Sequence, residues 1–133
     1  MQSRGVRQFV KFGVVGASGF LVNFIVFTVL QHFTPNHDRP LQYYLLYSIG
    51  FMAGGVSNYY LNRIWTFRSQ ADAVKEGAQF LSVSLIALVA GLLVSTAVAP
   101  WLGHGHKTWF LGTVSGIFVN FFLNKYWTFK HLN

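Results

Sequence analysis

The sequence contains no cysteine, which excludes disulfides, thiolate metal sites and cysteine nucleophiles. Acids are almost as scarce: Asp38, Asp72 and Glu76 are the 3 in 133 residues. All three fall in expected loops, so carboxylate pairs and nucleophile-base-acid triads cannot be assembled within the apolar segments. His104-x-His106 has metal-ligand character, but neither a carboxylate nor a third ligand accompanies it in its loop. The chain is therefore expected to be no enzyme, with no metal and no cofactor. Charge of either sign makes up 10% of the residues, against 53% hydrophobic and 18% aromatic. That balance is far from the soluble norm and points to a membrane.

Charge is absent between Phe12 and His37, Pro40 and Asn62, Gly77 and His106, and Thr108 and Asn124. About 20 helical residues cross about 30 Å of hydrocarbon. The three longer runs exceed that length, and the last reaches it if Lys125 snorkels to the interface. Spans are expected at about 9–33, 43–67, 80–102 and 109–129, giving an all-α integral membrane bundle of four transmembrane helices in one domain, 1–133. The N-terminal stretch is read as the first span. It is too long for a signal peptide and lacks a small-residue cleavage pattern.

Basic residues are retained on the cytoplasmic side of a membrane. Arg4, Arg7 and Lys11 precede the first span, Arg63, Arg68 and Lys75 surround the central link, and Lys125 and Lys130 end the chain. Opposite them stand Arg39 and Lys107. Both termini are thus expected in the cytosol, and the formal charge of +7 becomes a one-sided basic collar suited to anionic membrane lipids. No nucleic-acid partner is expected.

One motif occurs twice, as Asn58-Tyr-Tyr-Leu-Asn62-Arg63-Ile-Trp65-Thr66-Phe67 and as Asn120-Phe-Phe-Leu-Asn124-Lys125-Tyr-Trp127-Thr128-Phe129. Upstream, Gly50 and Gly54 correspond to Gly112 and Gly116. Two helices per unit make this a pair of parallel helical-hairpin repeats, with an axis along the membrane normal. The first helices match weakly, through Gln8-Phe9 and Gln79-Phe80.

On a continuous α-helix, Gly54, Asn58, Asn62 and Trp65 form one stripe, repeated by Gly116, Asn120, Asn124 and Trp127. Arg63 and Lys125 flank it. Asn58 and Asn120 lie roughly 13 Å from the helix ends, and Asn23 roughly 20 Å along the first helix, near mid-membrane. Two readings of the asparagines stand side by side: amides cross-linking helices that Gly50, Gly54, Gly112 and Gly116 allow to approach, or amides that hold a polar ligand. Trp65 and Trp127 suit an interfacial belt or stacking on a ligand. Arg63 and Lys125 suit orientation, or capture of an anionic headgroup.

The opening Arg7-Gln-Phe-Val-Lys11-Phe-Gly-Val-Val-Gly16, Asn23 further along that helix, and the paired Asn-Arg/Lys-x-Trp-Thr-Phe endings resemble the GtrA-like family of small four-span membrane proteins. That resemblance implies handling of polyprenyl-phosphate-linked sugars, moved from the cytosolic to the outer leaflet of a bacterial inner membrane for envelope glycosylation. Under it, Lys11, Arg63 and Lys125 meet the phosphate, while Asn23, Asn58, Asn62, Asn120 and Asn124 bond phosphate or sugar hydroxyls. A homodimer is expected, because four short helices enclose little volume. The competing expectation is a non-transporting anchor or partner of a membrane glycosyltransferase. A small multidrug exporter fits the size, but proton-coupled antiport needs an intramembrane carboxylate that these spans lack.

Overall fold

In a bilayer every backbone polar group must be satisfied within the protein, so long apolar segments become helices. The computed structural model describes residues 4–66 and 73–128, without the side chains of Arg4, Gly5, Gln8, Phe9, Ala73, Asn124 and Thr128. Phe67, Arg68, Asp72, Phe129 and Lys130 therefore lie outside the described residues. Four helices form: α1 (Arg4–Phe33), α2 (Pro40–Leu61), α3 (Ala73–Leu102) and α4 (His106–Leu123).

Their ends depart from the sequence expectation for local reasons. α2 starts at Pro40, with an extended Arg39 before it, since proline's missing N–H costs nothing in the first turn. α3 begins about two turns before residue 80, so Glu76, expected in a loop, lies in its first turn. A carboxylate is favourable there against the helix dipole. Pro100 lies in the last turn of α3. Gly103 then ends the helix at φ 80°, its N–H donating to the Ala99 carbonyl at 2.7 Å, a left-handed cap that glycine adopts without strain. The largest departure is at the duplicated motif. α2 and α4 do not run on as α-helix; Asn62–Thr66 and Asn124–Thr128 each form a π turn.

Consecutive helices run antiparallel, and α1 packs most extensively on α2, as α3 does on α4. Glycines set both approaches. A Cβ at Gly54 would lie 2.5 Å from the Gly19 carbonyl oxygen, and one at Gly112 would lie 2.7 Å from that of Gly91. By these contacts Gly19 answers to Ala87, because a Cβ at Gly116 would meet the Ala87 carbonyl. The register of the first helices is thus about one turn away from the Gln8-Phe9 and Gln79-Phe80 match. Between the pairs lies an aromatic core of Phe27, Tyr43, Tyr47, Phe51 and Trp109.

Around that core the bundle buries polar side chains, while its outer surface is apolar. Asn23, Asn62, Ser84, Ser95, Thr113 and Asn120 are buried, while Leu21, Ile25, Leu45, Leu93 and Phe118 are exposed. α1 and α3 are long and apolar enough to cross a membrane, over Val10–Phe33 and Val74–Leu102, and only 22% and 28% of their most apolar stretches is buried. A soluble core helix would hide that surface; here it faces out, as lipid requires. This is a membrane protein. Among the described residues α2 and α4 do not meet the same test, because tyrosines, serines and an asparagine dilute the apolar character of α2 and the 18-residue α4 includes His106 and Lys107.

Candidate functional site

Small residues on α1 leave room beside α2 and α4, and three of the asparagines meet there. Asn23 of α1, Asn58 of α2 and Asn120 of α4 line one crevice of about 40 Å³, together with Gly16, Gly19, Gly54, Phe12, Phe20 and Phe121. Asn23 and Asn120 are buried. Asn23 Oδ1 accepts a hydrogen bond from Trp109 Nε1 at 3.2 Å, which also places it against the missing side chain of Gly50, 2.6 Å from where a Cβ would stand. Asn58 Oδ1 accepts from Asn62 Nδ2 at 2.7 Å. Asn62 itself is not on the crevice; its Oδ1 and the Thr66 hydroxyl are buried without hydrogen-bond partners.

The π turn changes which motif residues share a face. A wider turn, closed by i→i+5 bonds, brings Thr66 under Asn62, and both are buried. Trp65, expected in the stripe, is turned outward and is 41% exposed; Trp127 is 40% exposed. Lys11 Nζ stands 5.2 Å over the Trp65 ring, a cation-π contact. Lys125 Nζ lies 5.9 Å from the Phe121 ring and 5.4 Å from that of Tyr126. Because Phe12 and Phe121 line the crevice, Lys11 and Lys125 stand at its basic end. Arg63 meets Glu76 in an ion pair, with side chains 18% and 3% exposed. The side chain of Asn124 lies outside the described residues.

The opposite end is more polar than expected. Tyr43 Oη and Ser95 Oγ are 2.8 Å apart, Tyr44 Oη and Thr96 Oγ1 2.6 Å, and Thr28 Oγ1 lies 3.0 Å from His106 Nε2. His104 packs on the rings of Tyr43 and Tyr44. The Tyr43 and Tyr44 hydroxyls were not among the candidate residues named from the sequence. The Glu76 pair was missed because α3 was started at the edge of its apolar run. The signal was an isolated acid facing a basic motif.

Chemically, the crevice offers neutral amides that donate and accept hydrogen bonds, with positive charge at one end. That set recognises hydroxyl and phosphate oxygens. The family model described as GtrA/DPMS, transmembrane domain, matches residues 11–129. No curated protein and no solved structure matches the chain.

Proposed function

Since the chain belongs to the GtrA/DPMS transmembrane-domain family, we propose that it binds a polyprenyl-phosphate-linked monosaccharide and carries its head from the cytosolic to the outer leaflet of a bacterial inner membrane. The family is linked to the handling of polyprenyl-phosphate sugars. In this reading all four helices span the bilayer, the basic end is cytosolic, and the two hairpins are parallel repeats. A second copy of the chain completes a homodimer.

The observation that carries the proposal is the convergence of Asn23, Asn58 and Asn120 on one crevice, with Lys11 and Lys125 at its basic end. The prenyl tail is already soluble in the bilayer, so the barrier is desolvation of the sugar-phosphate head. An unpaired ion in hydrocarbon costs tens of kcal/mol in the idealised limit, and amide donors with lysines replace its lost water. Asn62 holds Asn58 in place through its amide hydrogen bond. Arg63, given to the phosphate on sequence grounds, braces α2 against Glu76 of α3.

Size limits the state. A volume of about 40 Å³ is far below the 300–1,000 Å³ or so of ordinary ligand sites, so the head enters only when helices part. The same small volume favours a second reading, a non-transporting partner that positions a polyprenyl-phosphate glycosyltransferase. Liposomes holding the purified protein and a labelled polyprenyl-phosphate sugar separate the two. Leaflet exchange above that of protein-free liposomes supports the carrier. Absence of exchange together with a retained enzyme complex refutes it.

A further inference from the structure

Two seams separate the tight helix pairs, α1 against α4 and α2 against α3, and they are built differently. Along α2/α3 the backbones approach. Tyr43 bonds Ser95 and Tyr44 bonds Thr96, the rings of Tyr59 and Phe80 lie 4.5 Å apart, and the Arg63–Glu76 pair closes the basic end. α1 and α4 do not pack backbone on backbone in this way. Near the crevice they meet through side chains: Phe12 edge-on to Phe121 at 4.5 Å, Phe20 beside Trp109 at 5.2 Å, and the Trp109–Asn23 hydrogen bond at 3.2 Å, while Thr28 and His106 meet at the far end at 3.0 Å. A Cβ at Gly16, on the crevice wall, would meet nothing within 4 Å.

The difference traces to the sequence. In the register of close contacts Gly16 answers to Ser84 and Phe12 to Phe80. In α3 these positions are filled and buried; in α1 a glycine leaves open space. The second helices share their motif and the first helices differ at these positions, so open space lies beside Gly16 of α1 where α3 carries Ser84. Charge follows the same division. Arg63 at the α2/α3 seam faces a carboxylate, whereas Lys125 stands over Phe121 beside the α1/α4 seam, with Lys11 nearby over Trp65 at the end of α2.

We propose that the α1/α4 seam alone is the lateral doorway through which an anionic lipid reaches the asparagine crevice, so that the duplicated chain carries one lipid route and not two. This rests on the lipid-binding reading above. The tail stays in the bilayer beside Gly16 while the Phe12 and Phe121 rings swing apart. The phosphate meets Lys125 at the doorway, with Lys11 at the same end of the bundle, and the amides of Asn23, Asn58 and Asn120 receive the polar head behind it. The α2/α3 seam, pinned by hydroxyl pairs and an ion pair, acts as the fixed wall.

The absence of cysteine allows a background-free test. Phe12→Cys with Phe121→Cys, bridged by a short bismaleimide, locks α1 to α4; Tyr59→Cys with Phe80→Cys locks α2 to α3. Gly16→Leu fills the doorway, and Gly13→Leu, where a Cβ also meets nothing within 4 Å but which does not line the crevice, is its comparator. Each variant, checked for an intact bundle by size-exclusion chromatography and circular dichroism, is placed in phosphatidylcholine nanodiscs and photolabelled with diazirine-bearing polyprenyl phosphate or phosphatidylglycerol. The doorway predicts that labelling of the crevice is lost in the α1/α4 lock and in Gly16→Leu, and kept in the α2/α3 lock and in Gly13→Leu. Loss in the α2/α3 lock, equal loss in both locks, no change in any variant, or no labelling by either lipid overturns it. Equal labelling by both lipids with the predicted pattern upholds the doorway and instead overturns the polyprenyl-specific function.

Discussion

Gly54→Ala is the sharpest test of how the bundle is held. The new methyl carbon would stand 2.5 Å from the Gly19 carbonyl oxygen and 3.1 Å from Asn23 Cβ, against about 3.5–4.0 Å for a comfortable contact. The obstacle is backbone and cannot swing aside, so α1 must retreat by about 1 Å. Overpacking of this kind costs about 1–3 kcal/mol. Alanine returns about 1 kcal/mol of helix propensity, leaving a net loss of up to about 2 kcal/mol. Retreat of α1 also stretches the Trp109–Asn23 hydrogen bond, already 3.2 Å long. Gly16→Ala gains the same propensity on the same bundle with nothing within 4 Å of its Cβ, and is expected to be as stable as wild type or more so. Reversible unfolding in mixed micelles, followed by tryptophan fluorescence, gives both values. Gly54→Ala as stable as Gly16→Ala would refute the argument that α1 and α2 are in backbone contact at this point.

Glu76→Ala leaves Arg63 without its carboxylate and is expected to destabilise by about 3 kcal/mol, while the Arg63→Ala, Glu76→Ala double variant loses less than the sum of the singles; the same unfolding titration measures both. Asn58→Ala and Asn120→Ala are each expected to lower stability by about 0.6–2 kcal/mol and to weaken binding of polyprenyl phosphate, most in combination. Loss of stability with unchanged binding, read by native mass spectrometry, would make them packing residues only. A double-mutant cycle between Trp109→Phe and Asn23→Ala should give a coupling energy of about 0.6 kcal/mol, and zero coupling would deny the indole-to-amide hydrogen bond.

Much of the fold was legible because apolar runs and their interruptions report directly on helices in a bilayer. The helix ends were less so. Capping by Pro40 and Gly103, and the reach of α3 back to Ala73, depend on single residues outside the apolar runs. Of the candidate site, Asn23, Asn58 and Asn120 were named and the structure brings them together. Their meeting on one crevice required knowing that α4 lies beside α1, which no local pattern in the chain encodes. Arg63 illustrates the limit in another way. Its charge was visible in the sequence, but its partner depended on where α3 begins. Tyr43 and Tyr44 were undervalued because a tyrosine is apolar by area, while its hydroxyl demands a partner once buried.

The π turns explain why the motif needs its particular order of residues. Both copies of Asn-Arg/Lys-x-Trp-Thr form the same turn, the first packed on α1 and the second on α3, so the turn belongs to the repeat, its sequence and its packing together. In a continuous α-helix Trp65 would lie beneath Asn62 and compete with it for the interior. The wider turn buries the small hydroxyl of Thr66 there instead and sends the indole outward to Lys11 of α1. One local change of pitch therefore does two things: it keeps bulk out of the space below the asparagines, and it ties α1 to the end of α2 by a contact at the bundle's rim. Because α1 is also the helix whose glycines leave the crevice open, the motif steadies one wall of the site from outside it.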